Sequence, residues 1–203
     1  DTDGDRAVEM MSSPRARLEA DFQQPGEEET FSVGQVFTVT AAISNTCPGD
    51  AISVTAELTA SVGVDIAESV QTLGDLNGGA SKMATWTVTA TAAGDVEMTV
   101  LPDGMDVNGG AAIEAANLIP DTTSLTVQIP AELDVTLEAP VTVYVGDTFV
   151  VTGTVVNIGE ADAVDVSAQL AATAGADLVS DSEHDIGLIA GGQSTEVTWT
   201  LSC

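Results

Sequence analysis

The sequence predicts an all-β protein built from two tandem antiparallel β-sandwiches. Three observations predict it: apolar and polar residues alternate, turn residues such as Gly-Gly and Pro-Gly separate the alternating stretches, and a long segment of the chain is repeated. Alternation with a period of two places one face of each strand in a core and the other in solvent. Short strands divided by tight turns are typical of an antiparallel sandwich rather than of βαβ units.

The repeat divides the chain into two units and a leading segment. Five ordered segments match with a single one-residue insertion, which makes chance a poor explanation. The matched segments are 33–40 with 145–152, 51–58 with 163–170, 63–66 with 175–178, 73–79 with 186–192 and 85–88 with 198–201. We therefore predict an N-terminal arm at residues 1–14, a first sandwich at 15–130 and a second at 131–203.

The alternation also predicts which side chains face the core. The inward residues expected in the first unit are Phe37, Val39, Ala41, Ile43, Ile52, Val54, Ala56, Leu58, Ala84, Trp86 and Val88. Those expected in the second unit are Phe149, Val151, Val155, Val197, Trp199 and Leu201. The abundance of Val and Thr in these stretches fits pleated, half-buried strands.

The charge balance restricts the partners. Against 32 Asp and Glu there are only 4 Lys and Arg, so the formal net charge is −28. Such a surface repels phosphate backbones and anionic lipid, which argues against nucleic acid as a partner and against binding to membranes. Two interpretations of the excess of acidic residues stay open. One is an exterior rich in salt or calcium, where screening removes self-repulsion, and the other is the general solubility of a secreted protein.

The sequence predicts an extracellular or cell-surface location without membrane insertion. No stretch is long and apolar enough to span a bilayer, and the acidic start at Asp1 is the reverse of a basic signal-peptide region. Either a mature chain after cleavage or a window cut from a longer protein accounts for this start.

The repeated motifs resemble a known group of modules. Each unit, with substitutions in the second copy, carries a Val-Gly-x-x-Phe-x-Val strand, an Asn near the following turn, a Leu-Gly-x-Leu-x-x-Gly-Gly segment and a Thr-Trp-Thr strand. These motifs are similar to the immunoglobulin-like modules of bacterial and archaeal surface proteins, above all the cell-adhesion-related domain and S-layer-type modules. The resemblance implies an immunoglobulin-like fold and spacer, adhesin or lattice functions, and it specifies no catalytic activity.

The second unit ends soon after its Trp strand, at Cys203, whereas the first continues through two further strands near 95–100 and 124–130. Unpaired strand edges invite pairing with another chain. Val8 and Met10 of the arm share the phase of Leu125 and Val127, so the arm of one copy is a candidate donor to the open unit of another. The alternative is that both incomplete ends result from cutting a longer tandem array.

Two cysteines are candidates for disulfides. The resemblance implies that a cysteine in the turn of Cys47 can pair with one just after the Trp strand, yet that position is Ala90 in the first unit. Cys203 follows the second Trp strand, and the matching turn position there is Gly159. Two alternatives remain open for these cysteines: an intermolecular disulfide, or two isolated thiols.

Acidic turns are weak candidates for calcium, and no cofactor is required by any motif. Alternating carboxylates can wrap a hard cation, whereas Asp, Asn and Gly are also what turns demand. The candidate ligands are Asp1, Asp3, Asp5 and Glu9 in the arm and Asp103, Asp106 and Asn108 in the first unit. His184, the single histidine, is expected to be a solvated loop residue.

The sequence predicts a non-enzymatic structural subunit of an extracellular filament or surface layer, whose partners are copies of itself. No Gly-rich phosphate loop and no nucleophile–base arrangement stands out. Two alternatives stay open: a spacer or adhesin module that binds carbohydrate or another surface protein, and an ancillary domain of a secreted enzyme.

Overall fold

The computed structural model describes residues 15–173 and 175–203. Over these residues the protein is all-β, apart from one 3₁₀ turn at Ala115–Asn117, and the predicted fold class is confirmed. The chain divides into two compact units between Thr126 and Val127. The described residues include no helix long and apolar enough to cross a membrane.

Eleven strands form between residues 18 and 128, and several of them are long. They are β1 Leu18–Gln24, β2 Glu29–Ser32, β3 Val36–Asn45, β4 Ala51–Ala60, β5 Val64–Ile66, β6 Val70–Leu76, β7 Ser81–Ala90, β8 Gly94–Asp106, β9 Ala111–Ala112, β10 Leu118–Ile119 and β11 Asp121–Gln128. One sheet has the order β10-β1-β3-β7-β5. The facing sheet has the order β2-β11-β8-β4-β6, with β9 on β8.

The core of the first unit lies between these two sheets. Its largest buried side chain is Trp86 on β7, which stands opposite Val39 of β3. The indole Nε1 donates a hydrogen bond of 3.0 Å to the carbonyl of Ser69, so the polar atom of this buried ring is satisfied. Alternate residues of β8, including Val96, Met98 and Val100, are fully buried and close the core from the other sheet.

The second unit is a smaller version of the same arrangement. Its strands are β12 Leu133–Glu138, β13 Thr148–Asn157, β14 Ala163–Gln169, β15 Asp177–Leu178, β16 Glu183–Ile189 and β17 Ser194–Ser202. One sheet has the order β12-β13-β17-β15, and the other pairs only β14 with β16. Trp199 repeats the role of the first tryptophan, since its Nε1 donates to the carbonyl of Ser182 at 3.1 Å.

The predicted alternation is wrong at Ile52, and the irregularity that causes this recurs in the second unit. A β-bulge interrupts β4 and β14, where Ser53 and Asp165 adopt positive φ values of 53° and 54°. The bulge changes which residue faces the core, so Ala51 is buried and Ile52 turns towards the outer face. At the corresponding place in the second unit, Val164 is 66% exposed.

The repeated Gly-Gly pair has a steric cause. A Cβ atom on Gly78 would lie 2.6 Å from the carbonyl oxygen of Pro48, and one on Gly191 would collide with the carbonyl of Glu160. The second glycine of each pair, Gly79 or Gly192, has a φ of 80° or 70°. Only glycine combines this close approach with a left-handed backbone at little cost.

Candidate assembly site

Strand β12 occupies in the second unit the place that β1 occupies in the first. Both pair antiparallel with the long strand that follows them, and the registers correspond. The pairs are Leu133 with Asn157, Val135 with Val155 and Leu137 with Gly153 in the second unit, and Leu18 with Asn45, Ala20 with Ile43 and Phe22 with Ala41 in the first. The apolar face of β12 is therefore directed towards the inside of its sandwich.

That face is uncovered. Leu133, Val135 and Leu137 are 44%, 55% and 59% exposed, whereas Leu18 and Ala20 at the matching positions of β1 are 0% and 5% exposed. The same apolar face is thus part of a closed core in one unit and open to solvent in the other.

Strand β8 accounts for this difference. It pairs antiparallel with β4 from Ala51 to Ala60, and it also packs against β1, since a Cβ on its Gly104 would lie 3.3 Å from Leu18 Cδ1. Within the described part of the chain, the second unit has no counterpart of β8. Both the inner face of β12 and one edge of β14 consequently remain open.

The free edge of β14 presents unpaired backbone groups. In the first unit β4 lies between β6 and β8, whereas among the described residues β14 has a neighbour on one side only, the strand β16. An edge of this kind is a template for strand addition. The open face and the free edge belong to the same gap, because β8 contacts both β1 and β4 in the first unit.

The core beside the gap is incompletely covered. Val151, Trp199 and Leu201 are buried together, and the apolar side chains packed around them are only partly buried. These partly buried residues include Phe149, Ala168, Leu170 and Val197. Their first-unit counterparts, Phe37, Ala56, Leu58 and Ala84, are all buried.

His184 lies beside this core and not in a solvated loop, so that interpretation of the sequence was wrong. It is on β16 opposite Ala168, and its ring meets Trp199 edge to face with centroids 5.4 Å apart. Its Nε2 atom is buried without a hydrogen-bond partner in the described part of the chain.

The two cysteines are free and partly buried. Cys47 follows β3 in the first unit, where its backbone amide donates a 3.4 Å hydrogen bond to Asn45 Oδ1. Cys203 follows β17 in the second unit, and its amide donates to the carbonyl of Asp147 at 3.0 Å. The disulfide assignment stays a prediction.

The candidate calcium ligands of the first unit are not gathered around one point. Asp103 and Asp106 are three residues apart on β8, so their side chains leave opposite faces of the sheet. Asp106 Oδ2 accepts the amide of Ala16 at 2.7 Å, and its Oδ1 accepts the amide of Asn108 at 2.8 Å. The carboxylate thereby ties the start of β1 to the end of β8.

Most of these contacts favour the ionised form of the Asp106 carboxyl group. The hydrogen bond from Ala16 is the main reason that its pKa is lowered, and partial burial opposes this. The amides of Asn108 and Gly109 and the nearby Arg15 guanidinium lower the pKa further. Arg15 also forms an exposed 2.6 Å ion pair with Glu114 at a cleft of about 380 Å³ beside Asp106.

Calcium binding stays a prediction for both segments. Over residues 15–173 and 175–203, no group of three or more His, Cys, Asp or Glu side chains is placed to hold a metal ion. The other candidates, Asp1, Asp3, Asp5 and Glu9, lie outside the described residues, as do the candidate assembly residues Val8 and Met10.

Comparisons with known proteins found matches among solved structures alone. No family model matches the sequence, and no curated protein matches it. The CARDB domain of a Pyrococcus furiosus protein, solved in complex with di-metal ions, is 14% identical with a TM-score of 0.43, and the match covers 56% of this chain and 89% of that one.

Bacterial macroglobulins are also similar. Native alpha-2-macroglobulin of E. coli is 19% identical with a TM-score of 0.46, and the match covers 65% of this chain. Salmonella alpha-2-macroglobulin reacted with methylamine is 17% identical with a TM-score of 0.46, again over 65% of this chain. In both cases the match spans only 8% of the macroglobulin chain.

Proposed function

We propose that this protein is a non-enzymatic structural subunit of an extracellular filament or surface layer, in which the open second unit of one copy receives the N-terminal arm of another. The observation that carries the proposal is the exposed inner face of β12, where Val135 and Leu137 are 55% and 59% exposed. Their burial by a partner removes apolar surface from water and fills an unfinished core.

The magnitudes favour strand addition over contact by the apolar face alone. Fully burying a Val or Leu side chain contributes roughly 1.5–3 kcal/mol, so covering three half-exposed ones contributes about 1 kcal/mol each. Such a sum is small against the cost of association. A strand that also pairs with the free edge of β14 adds a ladder of backbone hydrogen bonds.

Repetition of this contact produces a polymer. The donor segment and the acceptor unit are different surfaces of one chain, so the contact is heterologous and leaves one arm and one open unit free at the two ends. The net charge of −28 opposes the approach of copies at low salt and matters less in a saline exterior.

Deleting residues 1–13 tests the proposal. The deleted protein is expected to keep its β-sheet circular dichroism and to lose the filaments that the full chain forms, as seen by negative-stain electron microscopy and sedimentation. Unaltered filaments in the deleted protein would overturn arm donation, and a full chain that stays monomeric in high salt would overturn assembly itself.

Single substitutions in the arm sharpen this test. Val8→Asp is expected to abolish assembly, because it places a charge where an apolar side chain would enter the core. Glu9→Gln is the matched control, since its side chain alternates to the opposite face and the change should leave filaments intact. Equal loss of filaments in both variants would contradict an inserted strand.

A further inference from the structure

The arm contains a short copy of β8, a strand that has no counterpart among the described residues of the second unit. Residues 8–14 read Val-Glu-Met-Met-Ser-Ser-Pro, and residues 96–102 of β8 read Val-Glu-Met-Thr-Val-Leu-Pro. Four of these seven residues are identical, and the shared Val, Met and Pro occupy the inward positions of β8. Val96, Met98 and Pro102 are all buried in the first unit.

The sheet order supports this alignment over one with β11. In the first unit β11 pairs with β8 and β2, and of the two strands β8 and β11 only β8 pairs with β4. A donated strand in the place of β11 would have no neighbour among the described strands of the second unit. A strand in the place of β8 would lie against the end of the free edge of β14 and against the residues that follow it.

We infer that the arm of a second copy enters as the counterpart of β8, antiparallel to β14 and in the register that β8 adopts on β4; this inference rests on the function proposed above. In the first unit Leu58, Thr59 and Ala60 stand opposite Val100, Thr99 and Met98. Transferred through the repeat, the expected pairs are Leu170 with Ser12, Ala171 with Met11 and Ala172 with Met10; these residues directly follow β14 at Gln169, and pairing with the arm would extend that strand.

The register gives each arm residue a defined environment. Val8, Met10, Ser12 and Pro14 face the core around Trp199, and Glu9, Met11 and Ser13 face outward. The arm ends before a counterpart of Gly104, the residue that approaches Leu18 in the first unit. The Leu133 end of β12 therefore lies beyond the reach of the arm.

Cysteine pairing between two copies tests the register. Directly opposed residues of antiparallel strands have Cα atoms about 4.5–5.5 Å apart, which suits a disulfide. One full-length chain carries Met11→Cys, the other carries Ala171→Cys, and the two are mixed, assembled and oxidised. A disulfide-linked dimer is expected, with the bond between positions 11 and 171 identified by mass spectrometry, which also separates it from bonds to Cys47 and Cys203.

A displaced pair provides the control. Met11→Cys mixed with Gln169→Cys places the sulfur atoms on diagonal residues, about 7–8 Å apart at Cα, and should form little disulfide. Preferential reaction of this pair would overturn the register. A bond between positions 11 and 171 formed only within a chain carrying both substitutions would overturn the second copy as the donor.

A substitution that strengthens binding of the arm provides an independent test of the register. Ser12 takes the place of Val100, which is 0% exposed, so Ser12→Val is expected to slow filament dissociation about tenfold. In the β11 alignment Ser12 would match Ile129, which is 46% exposed, and the change would be neutral. Ser13→Val, on the outward face, is the matched control.

These experiments distinguish an incorrect register from an incorrect function. If deletion of residues 1–13 abolishes filaments while Ser12→Val has no effect and positions 11 and 171 do not link, arm donation stands and the β8 register is wrong. If the deletion leaves filaments unchanged, the proposed function is wrong as well.

Discussion

Asn45 and Asn157 make the same set of hydrogen bonds in the two units. Each buried amide donates to two carbonyls, those of Gly49 and Leu76 in the first unit and those of Ala161 and Ile189 in the second. Each side-chain oxygen accepts backbone amides from its own turn and from the residue just before β1 or β12. The asparagine thus joins the entry of each unit to both sheets.

Asn157→Ala is expected to destabilise the second unit by about 1–3 kcal/mol, because it leaves buried backbone groups without partners. Asn45→Ala should cost a similar amount in the first unit. Urea unfolding followed by circular dichroism measures the change, and Asn77→Ala, at an exposed turn residue, is the control. A cost for Asn77→Ala equal to that of the buried pair would contradict the assignment.

Truncation of matched leucines should reveal the open face. Leu18→Ala is expected to cost about 2–5 kcal/mol, as is typical of a buried leucine. Leu133→Ala, at the matching position of β12, should cost about 1 kcal/mol or less in unassembled protein, because the side chain is already 44% exposed. Equal losses of unfolding free energy would show that β12 is covered in solution.

The lowered pKa of Asp106 predicts a pH-dependent contribution to stability. A carboxylate whose folded-state pKa lies below its ordinary value of 3.8 stabilises the fold above that value, and the contribution is lost as pH falls through the folded-state pKa. Asp106→Asn should therefore lower the urea midpoint at pH 7 and have little effect once the wild-type carboxyl is protonated.

Asp103→Asn is the control for this prediction. Asp103 is exposed, and its carboxylate accepts the amide of the adjacent Gly104 at 2.8 Å. A neutral or slightly stabilising effect is expected, since one negative charge is removed from a chain of net charge −28. If both variants destabilise equally at pH 7 and at pH 3, the tie between β1 and β8 is not electrostatic.

Assembly should increase with salt. At about 0.1 M the Debye length is roughly 10 Å, and at 1 M it is about 3 Å, so added NaCl removes most repulsion between acidic subunits. Sedimentation of the full chain across this range is expected to show a growing polymer fraction, with the variant lacking residues 1–13 as the control. Dissociation by salt would instead indicate attraction between opposite charges.

Individual strands show which features of the fold the sequence predicts. The Trp strands were predicted correctly, since Trp86 and Trp199 are both buried and their neighbours alternate as expected. The prediction that Ile52 faces the core was wrong, because the strand has a bulge at Ser53 that depends on contacts outside the strand. The amide of Ser53 donates a 3.1 Å hydrogen bond to Asp75 Oδ1. Asp75 lies on another strand, so the alternation within the bulged strand does not predict this contact.

The sequence by itself determined the all-β class, the repeat and the tandem arrangement of strands, because alternation and turn chemistry are local properties of the chain. Only the tertiary structure decided that β8 both pairs with β4 and covers β1, since that depends on which distant strands become neighbours. The same apolar pattern is consequently buried at Leu18 and exposed at Leu133. Burial is a property of what packs on a strand, and a strand's own residues do not encode it.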